Sequence, residues 1–167
     1  MSKRKIFTLL LSICMVLSLI SCDQDTGKKT DAPEDDSIKI GALAPLTGNV
    51  SVYGNAASQG AHLAVDQINE KGGIAGKKID YIEYDEKGDT EEAINAFNRL
   101  VNEDGIVALV GDVTTSPSIA VAQRAAKEGI PMITPTGTGA PITLQGDNVF
   151  RICFIDPDQG NMMATYA

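Results

Sequence analysis

The segment best equipped for chemistry is Gly111-Asp112-Val113-Thr114-Thr115-Ser116-Pro117-Ser118. It follows a continuously apolar run, Ile106 to Gly111, that reads as a buried strand, and it opens a stretch with helical periodicity. Ser116 suits the N-cap of that helix and Pro117 its first position. The unpaired amides of a helix start and the positive end of its dipole would then face into a loop carrying the hydroxyls of Thr114, Thr115 and Ser116. Such a cluster suits a carboxylate. Taken alone, the loop is slightly better described as an ordinary capped helix with nothing bound. Asp85 and Asp112 also stand at strand ends, where a solvated loop carboxylate is the simplest expectation.

Other chemistries find little purchase. The single histidine, His62, falls within a helical stretch, and there is no Gly-x-Ser-x-Gly nucleophile turn, no Cys-x-x-Cys and no histidine cluster. Gly72 to Lys78 is not a phosphate loop: its glycines are one residue too close, no Ser or Thr follows the lysine, and it ends a helix where a phosphate loop opens one. Gly137 and Gly139 lack the third glycine and the downstream acid of a dinucleotide fingerprint. No catalytic group, metal site or cofactor is therefore expected. With 14 basic against 22 acidic residues the formal charge is -8, which disfavours nucleic acid as a partner.

The elements that must hold the threonine loop alternate along the chain. Ile38 to Pro45 reads as a strand. A helix from about Tyr53 to Lys71 carries Ala57, Ala61, Ala64, Val65 and Ile68 at helical spacing and stops at Gly72-Gly73. Lys78 to Asp85 mixes apolar with polar residues and so predicts a strand near a sheet edge. Thr90 is placed to cap a helix whose stripe is Ala93, Ile94, Phe97, Leu100 and Val101, with Glu91 and Glu92 in its first turn. After the strand at Ile106 to Gly111 come a helix from Pro117 to Glu128, strands at Ile130 to Thr134 and Val149 to Ile152, and a helix from Asp158. Repeated strand-then-helix units predict an α/β fold, a doubly wound parallel sheet flanked by helices. Met162, Met163, Ala164 and Tyr166 still need an apolar face covered, and no stop signal follows them, so a longer chain is expected.

At the start, Lys3, Arg4 and Lys5 precede an apolar run from Ile6 to Ile20 that suits a secretory leader and is short for a membrane span. Leu19-Ile20-Ser21-Cys22 looks like a bacterial lipobox, which would make residues 1–21 a lipoprotein signal peptide and Cys22 the lipidated first residue. Its loss removes three cations and no anions, taking the formal charge from -8 to -11. Cys14 leaves with the leader, so Cys153 remains as a lone thiol, expected in the core. Residues 22–37 hold hardly any apolar side chain and predict a flexible tether.

From Ile38 onward the pieces carry a family likeness. They are the run Ile40 to Gly48, Tyr53-Gly54, Gly60 to Val65, Ile68-Asn69-Glu70, Gly72 to Gly76 and Tyr84-Asp85, then Leu109-Val110-Gly111, Gly129-Ile130-Pro131, Thr134-Pro135 and Phe150-Arg151. In order and spacing the chain resembles the leucine/isoleucine/valine-binding proteins, substrate-binding lipoproteins of ABC importers. The resemblance implies a two-lobed type I periplasmic binding fold about twice this length. Residues 38–157 would be the first lobe, residues 158–167 the start of the crossover helix, and the second lobe would be absent.

It also implies that the threonine loop and the loop after the fourth strand grip a ligand carboxylate, through Thr115, the main chain at Thr136, and the hydroxyl of Thr138; Ser116 is a candidate from the loop reading alone. Thr115 stands where the family more often has serine. Tyr53 matches a position that touches the ligand's side chain, although a tyrosine packed at a helix start explains it equally well from the residues alone. The implied partners are an amino acid, an ABC permease and ATPase, and the membrane through a lipid anchor, all on the extracytoplasmic side. A ligand-sensing lipoprotein of the same fold, or a binder of amides or urea-like solutes, is the alternative.

Overall fold

The computed structural model describes residues 36–167. The expected leader, the lipidation residue Cys22 and the tether as far as residue 35 lie outside the described residues. Strand β1 (Ile38–Ala44) leads into helix α1 (Ser51–Glu70), then β2 (Ile79–Asp85) and α2 (Thr90–Arg99), which runs on into a π-helical turn, Leu100–Asp104. Next come β3 (Ala108–Val110), α3 (Thr115–Glu128), β4 (Met132–Thr134), a 3-10 turn (Ala140–Leu144), β5 (Val149–Arg151) and α4 (Asp156–Tyr166). The strands form one parallel sheet in the order β2-β1-β3-β4-β5. The doubly wound class and the edge position of β2 are as the sequence predicts. β1 pairs with β2 on one side and β3 on the other, so the chain reverses direction across the sheet there. Loops leaving β1 and β3 therefore diverge and open a crevice at the carboxyl ends of the strands.

The two faces are covered unequally. On one, Ala93 and Phe97 of α2, Leu100 of the π turn, and Val121, Ala122 and Ala125 of α3 pack on Leu43, Leu109, Met132 and Val149. Each large side chain fully buried there contributes roughly 1.5–3 kcal/mol relative to exposure. Ile82 and Tyr84 of β2 point to this core. Their alternates Tyr81 and Glu83 point to α1, where Ser58 Oγ donates to Glu83 Oε2 at 2.8 Å and His62 Nε2 lies 3.2 Å from the same oxygen. Only Gly54 and Ser58 of α1 are buried. Its close approach to β1 requires the glycine, because a Cβ at position 54 would stand 2.1 Å from the Pro45 carbonyl oxygen.

Several local features differ from expectation. Asp89, not Thr90, caps α2, its carboxylate accepting from the Glu91 and Glu92 amides at 2.8 and 2.9 Å. Helix α3 begins at Thr115 with Thr114 at the N-cap, two residues before Pro117, and no side chain closes the cap. Asp85 is no free loop carboxylate: it accepts from the amides of Leu46, Thr47 and Lys87 and from the Thr47 hydroxyl at 2.6 Å, tying the β1–α1 loop to the end of β2. Burial pushes its pKa up, and the four hydrogen bonds outweigh that and hold it below the usual carboxylate range.

Asp112 departs furthest from a solvated carboxylate. It and Glu86 are each 0 % exposed, one at the end of β3 and the other at the end of β2, on either side of β1. Asp112 Oδ1 accepts from the Val113 and Thr114 amides, whereas Asp112 Oδ2 and both Glu86 carboxylate oxygens have no hydrogen-bond partner among the described residues. Burial, with the Glu86 charge beside it, raises the Asp112 carboxyl to about 8. Burial likewise raises Glu86 to about 7, with added repulsion from Asp85 and Asp89; the nearby Gly88 and Asp89 amides, which fall short of hydrogen-bond geometry, offset this only in part.

Each carboxyl thus holds its proton to higher pH in the folded than in the unfolded chain, so its contribution to stability is full below about pH 4 and is lost as pH rises towards 8. The expected result is a melting temperature that falls between pH 5 and pH 8.5, with the slope removed in the Glu86→Gln, Asp112→Asn double variant. Circular dichroism melts across that range check it.

Candidate ligand-binding site

Three loops meet at the carboxyl ends of β1, β3 and β4, and the segment after β5 closes one side. Together they surround an open cavity of about 630 Å³ lined by Tyr53, Val113, Thr114, Thr115, Thr136, Thr138, Cys153, Phe154, Asp156 and Gln159. That size suits a small organic solute. Of the residues singled out in the sequence, Tyr53, Thr115, Thr136 and Thr138 come together here. Ser116 does not join them: it is exposed in the first turn of α3 and is not among the lining residues.

The β3 and β4 loops are held to each other by hydroxyls. The Asp112 carbonyl accepts from Ser118 Oγ at 2.9 Å and from Thr134 Oγ1 at 2.6 Å. The Thr136 hydroxyl donates to the Val113 carbonyl at 2.6 Å, so residue 136 can offer a ligand its amide and not its side-chain proton. Thr115 Oγ1 accepts from the Gly139 amide at 3.3 Å. With that lone pair engaged, its own proton is left to donate into the cavity. The contact needs glycine at 139, since a Cβ there would stand 2.3 Å from Thr115 Cγ2.

An inventory of amides separates structural donors from available ones. Val113 and Thr114 are taken by Asp112, Gly137 by Thr134 Oγ1 at 3.0 Å, and Gly139 by Thr115. The Thr136 and Thr138 amides and the Thr138 hydroxyl have no partner among the described residues. These donors and the Thr115 hydroxyl border one cavity at the start of α3, where the helix dipole favours an anion. No basic side chain lines the cavity, and Asp156 is its one acidic residue. A neutral donor cluster beside a lone carboxylate fits a solute bearing an anionic and a cationic end.

Asp156, Gln159, Phe154 and Cys153 are the lining residues that periodicity missed. Pro157 in the first turn of α4 marks a strand-turn-helix pattern after β5 like that of the threonine loop, but only the pairing of β5 with β4 brings these residues to the cavity. The Asp156 amide donates to the Thr138 carbonyl at 3.2 Å, joining this segment to the β4 loop. Cys153 is half-buried, not a core residue, and its thiol donates to the Gly137 carbonyl at 3.4 Å.

Comparison with known proteins agrees with this architecture. Residues 37–167 match the family model described as periplasmic binding protein. The Leu/Ile/Val-binding protein homolog 3 of Brucella melitensis is 42% identical over 130 residues, covering 77% of this chain and 35% of that protein. The Leu/Ile/Val-binding protein of Escherichia coli K12 is 36% identical over 132 residues, covering 78% of this chain and 36% of its own length.

Among solved structures, the branched-chain amino acid transporter substrate binding protein LivJ from Streptococcus pneumoniae, in complex with isoleucine, superposes with a TM-score of 0.75 at 38% identity. The match covers 78% of this chain and 37% of that one. The matched stretch thus spans about a third of the length of these relatives. A parallel sheet reversing beside β1, a hydroxyl-lined crevice at its carboxyl edge and a family match over nearly all the described residues make this chain a member of the periplasmic binding protein family.

Proposed function

We propose that this chain supplies the carboxylate-gripping lobe of an extracytoplasmic solute-binding protein that delivers branched-chain or related amino acids to an ABC permease and ATPase. The observation that carries the reading is the convergence of the Thr115 hydroxyl with the unpartnered Thr136 and Thr138 amides on one cavity. The Leu/Ile/Val-binding relatives and the isoleucine-bound LivJ neighbour support the choice of solute. In this reading the carboxylate sits among the three threonines, Asp156 faces the ammonium, and Tyr53 and Phe154 flank the side chain. A second lobe closes over the solute by hinge bending and presents the shut form to the permease. Acyl chains on Cys22 hold the protein at the membrane, and the solute is released unchanged.

Two measurements on the intact protein check the site. Replacing Thr115 with Ala removes a hydrogen bond to a charged group and should weaken leucine binding by about 1–3 kcal/mol in calorimetric titration, with Ser at that position restoring most of it. An unchanged affinity in the Ala variant rules the hydroxyl out. Replacing Asp156 with Asn should weaken leucine binding while leaving its des-amino analogue, 4-methylpentanoate, bound equally or more tightly. Parallel losses for both compounds would remove Asp156 from the ammonium site.

A further inference from the structure

Arg151 closes β5 and is half-buried, and its guanidinium is committed to one short loop. Nη1 donates to the Gly137 carbonyl at 2.8 Å, and Nη2 donates to the Gly139 carbonyl at 2.9 Å, the Ala140 carbonyl at 3.2 Å and Thr143 Oγ1 at 3.2 Å. No carboxylate pairs with it among the described residues. A cation spent on three backbone carbonyls and one hydroxyl is uncommon, because carboxylates match a guanidinium better.

The loop it holds is the one that carries Thr136 and Thr138. In a trans peptide the carbonyl and the amide of the next residue point in opposite directions. The Gly137–Thr138 bond is trans, so fixing the Gly137 oxygen on Arg151 turns the Thr138 amide away from Arg151. The next unit is set the other way: Gly139 donates to Thr115 Oγ1, and the Thr138 carbonyl accepts from the Asp156 amide. The unit after that again gives its carbonyl to Arg151. Successive peptide planes are thereby locked in alternating senses, which leaves the Thr138 amide as a fixed donor without an internal acceptor. The Cys153 thiol adds a second donor to the same Gly137 oxygen.

We propose that Arg151 is a positioning residue of the ligand site, which aims the Thr138 amide at the bound carboxylate and strengthens it as a donor by polarising the Gly137–Thr138 peptide. Positive charge thus reaches the ligand through a peptide dipole while no cation enters the cavity. A charged donor on one end of a hydrogen-bonded chain strengthens the bond at the other.

This inference rests on the reading that the ligand is a carboxylate, and leucine and leucinamide separate the two. They differ in that group while both keep the ammonium and side chain. In calorimetric titration of the intact protein, the wild type should prefer leucine; equal affinities would overturn the carboxylate reading itself and this inference with it. Given that preference, Arg151→Met should lower leucine affinity by roughly tenfold or more and leucinamide affinity much less, so that the ratio between them collapses. Arg151→Lys should recover part of the ratio through charge alone.

Equal losses for both ligands in Arg151→Met, which leave the ratio unchanged, would reduce Arg151 to scaffolding and overturn the proposal. If neither variant folds, the wild-type amide spectrum decides. The Thr138 amide proton should move strongly downfield with leucine and little with leucinamide, and an amide that responds alike to both contradicts the proposal.

Discussion

The structure depends on how the backbone groups at the carboxyl ends of parallel strands are satisfied. A strand that ends in the interior cannot leave its last amides and carbonyls unpaired without a cost of about 1–3 kcal/mol each. At the ends of β3 and β4 the chain meets this demand with its own side chains. Asp112 takes the first amides of its loop, the hydroxyls of Ser118 and Thr134 take the Asp112 carbonyl, and Thr136 takes the Val113 carbonyl. What these bonds leave over, the Thr136 and Thr138 amides and the Thr115 proton, is gathered on one side of one cavity. The site is in this sense the unfilled remainder of a nearly complete hydrogen-bond network.

That network explains how an anion could be held where no basic side chain lines the wall. Donors fixed in advance need no reorientation when the ligand arrives, and the start of α3 contributes its dipole without contributing a mobile charge. The buried carboxyls Glu86 and Asp112 would oppose an anion if both were ionised. Burial raises the pKa of each, to about 7 and about 8, so in neutral solution the pair carries less than its full charge. The same burial links fold and site, since Asp112 anchors the threonine loop with one oxygen and leaves the other without a partner.

Elements defined by periodicity were legible in the sequence. The continuous apolar run at Ile106 to Gly111 marked a strand that proves central, the mixed run at Lys78 to Asp85 marked the edge, and the Ala93 to Val101 stripe marked α2. Features set by contacts distant in the chain were not. Asp112 reads as solvated because nothing nearby in sequence announces that Glu86, twenty-six residues earlier, lies close enough for its charge to matter. The cap of α2 is a local exception: Asp89 and Thr90 can both cap, and Asp89, the stronger by residue type, takes the role. Asp156 joined the site because β5 lies next to β4, a neighbour relation that strand order alone reveals. Thr136 and Thr138 came from family resemblance, since no local periodicity distinguishes their loop.

The most direct test is a crystal structure of the intact protein with leucine bound. The network predicts the carboxylate oxygens within about 3 Å of Thr115 Oγ1, the Thr136 nitrogen and the Thr138 nitrogen, with the Asp112 and Arg151 contacts unchanged. A carboxylate seated elsewhere, or those donors turned to acceptors within the protein, would contradict it.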